Sequence, residues 1–192
     1  TNTFLFLAEA ELEDGTDLAD TTIAGGSGTD RISVADGLTV ANTVSFGKAS
    51  SIEELYVTGT AASSIALDVT AQTAGIATIN ISTSTTDGNV VDVSEYTTLG
   101  TTIVGSTAAT NVLTGGDVVD DITGGDVADT ITGGTGADSL TGGTGTNTFL
   151  FLAEAELEDG TDLADTTIAG GSGTDRISVA DGLTVANTVS FG

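Results

Sequence analysis

The sequence predicts an all-β chain coiled as a parallel solenoid, and three observations carry that prediction. Residues 1–47 recur letter for letter as residues 146–192, a nine-residue rhythm runs from Gly115 to Leu150, and short β-branched runs set among Thr, Ser, Ala and Gly fill the remainder. Self-similarity at a fixed period marks architectures whose units bury their apolar faces against neighbours rather than alone. The duplication defines a 145-residue unit followed by the first third of the next, so we read the chain as a stretch of a longer tandem array.

The rhythm consists of GGDVVDDIT (115–123), GGDVADTIT (124–132), GGTGADSLT (133–141) and GGTGTNTFL (142–150), all in one register. A solitary copy, GGSGTDRIS, stands at 25–33 and again at 170–178. The first six residues of each nonapeptide are expected to turn and the last three to form a short strand. Gly at positions one, two and four permits positive φ and close approach of carbonyls, and position six supplies a carboxylate. Position eight (Ile122, Ile131, Leu140, Phe149) points into a narrow core, and the position-nine residues Thr123, Thr132 and Thr141 point outward. Two nonapeptides close one coil. Residues 18 apart therefore stack, Asp120 with Asp138 on one edge and Asp129 with Asn147 on the other.

This pattern resembles the calcium-binding nonapeptide of RTX proteins, most closely those of tandem-repeat surface, filament or surface-layer proteins of bacteria. The resemblance implies a right-handed parallel β-roll with Ca2+ held between successive turns by Asp carboxylates and turn carbonyls. Electrostatics point the same way independently. Coils stack about 4.8 Å apart, so carboxylates on neighbouring turns repel unless a hard divalent cation with about six to eight oxygen ligands lies between them. The expected ligands are Asp120, Asp138, Asp129 and Asn147, with the backbone of Gly115, Gly124, Gly133 and Gly142. Val118 and Val127 stand where the family has Gly, and Asp117 and Asp126 compensate; Asn147 in place of Asp weakens or tunes its edge. The TFLF strand and acidic stretch after the roll resemble the segment that follows RTX β-rolls, although Ala169-Gly170 replace an Asp-Phe pair. Asp165 and Asp175, and Asp20 and Asp30 in the first copy, flank the extra nonapeptide as further candidate ligands. The other acidic residues of that stretch read as a solvated face.

Four segments result: 1–47, a flank with an extra nonapeptide; 48–114, looser solenoid coils; 115–150, the nonapeptide roll; and 151–192, the start of the next unit. Within 48–114 the runs LYV (55–57), IALDV (65–69), IATINI (76–81), VVDV (90–93), TIV (102–104) and NVL (111–113) read as strands. Their spacing suits calcium-free solenoid coils, with a small antiparallel sandwich as the rival. AEAELED alone hints at a helical turn. About seven coils of about 4.8 Å would give each unit a rise of about 35 Å.

Composition narrows function. There are 28 Asp and Glu against Arg31, Lys48 and Arg176, with no His, Cys, Met, Trp or Pro, and a net charge of −25. Without His or Cys there is no Ser-His-Asp triad, cysteine nucleophile or conventional zinc site, and an enzyme is not expected. Nucleic acid is not an expected partner, because phosphate binding needs clustered Lys and Arg. No apolar run is long enough to span a bilayer. An apolar fraction of 39% argues against disorder. The expected function is a structural repeat of an extracellular, calcium-stabilised fibre or surface array on a bacterial cell, with calcium and identical copies as partners. The alternative is an extender in a calcium-dependent adhesin.

Overall fold

The computed structural model describes residues 1–6, 22–35, 39–40, 46–152 and 167–180. Every strand pairing among these residues is parallel. Parallel pairing throughout rules out the antiparallel sandwich for residues 48–114 and makes the molecule a β-solenoid.

The first sheet stacks β1 (Thr3–Phe6), β3 (Arg31–Val34), β6 (Glu54–Val57), β8 (Thr78–Asn80), β10 (Thr102–Val104), β12 (Asp121–Gly125), β14 (Ser139–Gly145) and β16 (Thr167–Ala169). The second stacks β4 (Thr39–Val40), β7 (Ser64–Ala66), β9 (Asn89–Asp92), β11 (Asn111–Thr114), β13 (Thr130–Thr132), β15 (Thr148–Phe151) and β18 (Arg176–Val179). β2 (Ile23–Ala24) pairs with β5 (Ala49–Ser50), and β17 (Ser172–Gly173) lies on β14. From β6 onward to β16 the chain alternates between the two sheets, one strand in each per turn.

Register gives the length of each turn. In the first sheet Thr3 pairs with Arg31, Arg31 with Glu54, Glu54 with Thr78 and Thr78 with Thr102. Thr102 then pairs with Asp121, Asp121 with Ser139 and Ser139 with Thr167. Turns shorten to 18 residues in the nonapeptide region and lengthen to 28 around the duplicated segment. β14 thus lies six turns above β1, and the second copy of the unit begins before a seventh is complete. The expected seven turns per unit is an overestimate.

Short strands suffice because each of the central ones inserts one or two buried apolar residues into a shared core, Val34, Val57 and Phe151 joining Ile32, Leu55 and Phe149 on β3, β6 and β15. Ile32, Leu55, Ile79, Ile103, Ile122 and Leu140 line up along the first sheet, and Ile65, Val91, Leu113, Ile131 and Phe149 along the second, all buried. Burying each is worth about 1.5–3 kcal/mol. Their flanks face outward as β-branched and polar residues, which favour extended backbone. Thr132 is an exception to the expected outward Thr positions, being buried.

One element departs from the sequence reading. The run IALDV does not continue as strand: β7 ends at Ala66, and Val69–Ala74 form a short helix, α1. Asp68 causes the switch, its Oδ1 accepting the Thr70 N–H at 2.8 Å and the Ala71 N–H at 3.4 Å as an N-cap. Gly75, at φ 103°, ends the helix in the left-handed region. α1 replaces a turn between β7 and β8, and Gln72 Oε1 accepts the N–H groups of Thr97 (2.7 Å) and Thr98 (3.0 Å) from the turn above. AEAELED lies outside the described residues, as do Asp20 and Asp165. No helix among the described residues is long and apolar enough to cross a membrane.

Candidate metal centre

Two residues before each inward apolar residue stands a side chain placed at the corner where a turn enters a strand. Asn2, Asp30, Glu53, Ala77, Thr101, Asp120 and Asp138 hold this place ahead of first-sheet strands. Ser63, Asn89, Asn111, Asp129, Asn147 and Asp175 hold it ahead of second-sheet strands. Stacking turns these into two columns, and most of their members accept the backbone N–H of the residue one turn below.

In the first column the Thr101 N–H (2.6 Å) and hydroxyl (2.7 Å) donate to Asp120 Oδ1, and the Asp120 N–H donates to Asp138 Oδ1 at 2.9 Å. Asp120 Oδ2 accepts the Gly116 N–H at 2.7 Å, so both its oxygens have donors. Lower down, Asp30 N–H donates to Glu53 Oε2 at 2.7 Å, and Asn2 N–H donates to Asp30 Oδ1. In the second column Ser63 N–H donates to Asn89 Oδ1 (3.0 Å), Asn111 N–H to Asp129 Oδ1 (2.9 Å), Asp129 N–H to Asn147 Oδ1 (3.1 Å) and Asn147 N–H to Asp175 Oδ1 (3.0 Å). The predicted stacking of Asp120 with Asp138, and of Asp129 with Asn147, is therefore the observed one.

What distinguishes the Asp positions is the second oxygen. At three of the Asn positions the amide nitrogen reaches the carbonyl of a position-one glycine a turn above, Asn111 to Gly124 at 3.5 Å, Asn147 to Gly170 at 3.4 Å and Asn2 to Gly25 at 2.8 Å, while Asn89, outside the glycine motif, reaches Thr110 O at 3.3 Å. At Asp129 an oxygen replaces that nitrogen, and Oδ2 is buried without any hydrogen-bond donor. It shares a small gap with another acceptor. A Cβ built on Gly124 would overlap Asp129 Oδ2 and lie 2.8 Å from Gly142 O. Asp30 Oδ2 is likewise buried and without a donor, and a Cβ on Gly25 would lie 2.9 Å from it while overlapping Ser51 O.

Burial sets the electrostatics. Loss of water pushes the Asp129 carboxyl up to about 6 despite the opposing hydrogen bonds from Asn111, and it raises Asp120 despite bonds from Thr101 and Gly116. Such a carboxylate needs either a proton or a cation. Among the described residues no three carboxylates converge on one point. Each candidate donor set is consequently a carboxylate oxygen with main-chain carbonyls, the hard-oxygen chemistry of Ca2+ rather than the nitrogen and sulfur chemistry of zinc.

The remaining predicted residues fall in two groups. Asp117 and Asp126 are exposed on the turn rims, where their carbonyls accept the hydroxyls of Thr135 (3.1 Å) and Thr144 (2.7 Å). Gly115, Gly124, Gly133 and Gly142 are all buried but, contrary to expectation, none has positive φ. They are glycine for space, since a Cβ on each would collide with its own position-six side chain, Asp120, Asp129, Asp138 or Asn147. Positive φ belongs to positions two and four of the two GGTG nonapeptides, at Gly134, Gly136, Gly143 and Gly145. Sequence reasoning missed Asn89, Asn111, Thr101 and Glu53 as members of the columns. Their signal was the same spacing, a polar residue two before an aliphatic one, outside the glycine motif.

No family profile, curated protein or solved structure matches the chain.

Proposed function

We propose that the chain is a structural repeat of an extracellular, calcium-stabilised β-solenoid rod, a unit of a bacterial fibre or surface array. The observation that carries this reading is Asp129, whose buried Oδ2 faces a glycine carbonyl across a gap where the Asn positions of the same column place an amide nitrogen. A calcium ion does there for a carboxylate what the amide does for Asn, and it neutralises part of a charge of −25. Asp30 Oδ2 is likewise buried without a donor, there near Ser51 O, and Asp120 with Asp138 sets two carboxylates on adjacent turns. Because the columns exist only when turns stack, cation binding is coupled to folding. Low-calcium cytosol then leaves the chain open, and millimolar external calcium closes it. The absence of Cys fits a scaffold held by ions instead of disulfides.

Calcium titration followed by far-ultraviolet circular dichroism, with negative-stain microscopy on the same samples, tests the reading. A coil-to-β transition between micromolar and millimolar calcium, reversed by chelator and accompanied by fibres, is the expected result. The same transition with only monodisperse rods assigns the repeat to an adhesin extender. Full β structure in chelator refutes the calcium mechanism.

A further inference from the structure

We infer that each 145-residue repeat advances the solenoid by six and a half turns, so that neighbouring repeats are related by a half-turn about the rod axis and display opposite faces. This goes beyond the calcium reading and does not depend on it. The observation is that identical sequence occupies different sheets: Thr3–Phe6 is a first-sheet strand, while its copy Thr148–Phe151 belongs to the second. Arg31–Val34 and its copy Arg176–Val179 divide in the same way.

The switch of sheet is not a change of local fold. Thr3 pairs with Arg31 and Thr148 with Arg176, and all four residue pairs of each register correspond. Arg31 N–H donates to Asn2 O, and Arg176 N–H to Asn147 O, both at 2.9 Å. Asn2 and Asn147 each donate their backbone N–H to the Oδ1 of the equivalent aspartate, Asp30 or Asp175. The segment tolerates either side because both sheets offer it the same surface, an inward aliphatic residue preceded two positions earlier by a column residue.

The half-turn follows from the count. First-sheet registers carry Thr3 through six full turns to Ser139, and Thr148, nine residues on, lies in the second sheet. Nine residues are one nonapeptide, the length of half a coil. At about 4.8 Å per turn a repeat rises about 31 Å, and the pattern returns to the same side only after two repeats, about 62 Å. Outward features therefore alternate along the rod. The Arg31–Glu54 ion pair (2.7 Å), with Arg31 also over the Tyr56 ring, decorates the first sheet in one repeat and the second in the next.

Spin labels on the full 192-residue chain test this, because a chain without Cys accepts labels only at introduced sites. Val112→Cys marks the second sheet and Thr123→Cys the first, both at exposed positions. Each is paired with Thr148→Cys, and Thr123→Cys is also paired with Thr3→Cys. Val112 and Thr148 share a column two turns apart, so this pair is expected at about 10 Å, close enough to broaden the continuous-wave spectrum. Thr123 with Thr148 should exceed about 20 Å across the roll, and Thr3 with Thr123, five turns apart on one face, should give a narrow distribution near about 24 Å. A short Thr123–Thr148 distance with a long Val112–Thr148 distance overturns the inference, as does a broad distribution for all pairs in calcium. Repeating the measurement in chelator separates the two proposals: unchanged distances there sink the calcium reading and leave the half-turn standing.

Discussion

The two columns of corner residues solve one problem in different ways. In the second column Asn and Asp alternate from Asn111 through Asp129 and Asn147 to Asp175, so carboxylates on successive turns are separated by an amide. Asn111 and Asn147 give their amide nitrogens to Asp129 Oδ1 (2.7 Å) and Asp175 Oδ1 (2.9 Å). In the first column Asp120 and Asp138 are consecutive, and Asp120 depends on the Thr101 hydroxyl and on backbone N–H groups instead. A stack of buried polar groups is stable when each acceptor finds a donor. The chain supplies most of these donors itself, and in each column it leaves one second oxygen, Asp30 Oδ2 in the first and Asp129 Oδ2 in the second, to a proton or a cation.

Removing the acceptor where it serves most donors has the largest expected effect. Asp120→Ala strips the Thr101 N–H, the Thr101 hydroxyl and the Gly116 N–H of a buried partner, and should cost about 4 kcal/mol. The urea midpoint reads it, and a loss under about 1 kcal/mol would mean that the first column is ornamental. Next comes the reverse experiment in the second column. Asn147→Asp would place carboxylates on three successive turns and should lose about 2–3 kcal/mol at calcium just sufficient to fold the chain, with millimolar calcium restoring most of it. No difference between limiting and millimolar calcium would show that no cation enters this column.

A smaller gain is expected from extending the alternation. Asp129→Asn supplies a nitrogen facing Gly142 O and should stabilise the protein at limiting calcium by about 1 kcal/mol while reducing its response to further calcium, both read in denaturant titrations at limiting and millimolar ion. The pH dependence sharpens the same site. Folded Asp129 titrates at about 6, above the unfolded value of about 3.9. With the site empty at limiting calcium, its contribution is therefore complete below about pH 4 and lost as pH rises through 6. Thermal melts at pH 5 and pH 7.5 in limiting calcium should show the protein weaker at the higher pH, with that weakening diminished in Asp129→Asn. Equal weakening in both proteins would move the titrating group elsewhere.

Much of this arrangement is legible in the letters. The position-eight residues Ile122, Ile131, Leu140 and Phe149 are core residues because alternation along a strand turns the residue between two outward neighbours inward, and an 18-residue period fixes which residues meet. What escaped was set by other forces. Asp68 caps a helix where β-branched neighbours favoured a strand, a local side-chain bond overruling propensity. Position-one glycines answer to the bulk of their own position-six side chains, a packing constraint invisible to a reading based on φ. The columns run on through Asn111 and Asn89 because the spacing survives where glycine does not. The half-turn between repeats was hidden by the unequal turn lengths of residues 48–114, without which strands cannot be assigned to sheets.

Unequal turns also have a mechanical consequence. Turns run from 18 to 28 residues, and among the described residues α1 fills a single corner, so a single repeat is asymmetric across its width and has reason to bend toward one side. A half-turn between repeats reverses the bend each time. Deviations that would accumulate into an arc or a ring under a whole-number advance would cancel in pairs under the proposed half-turn, and a long rod built from irregular coils would run straight.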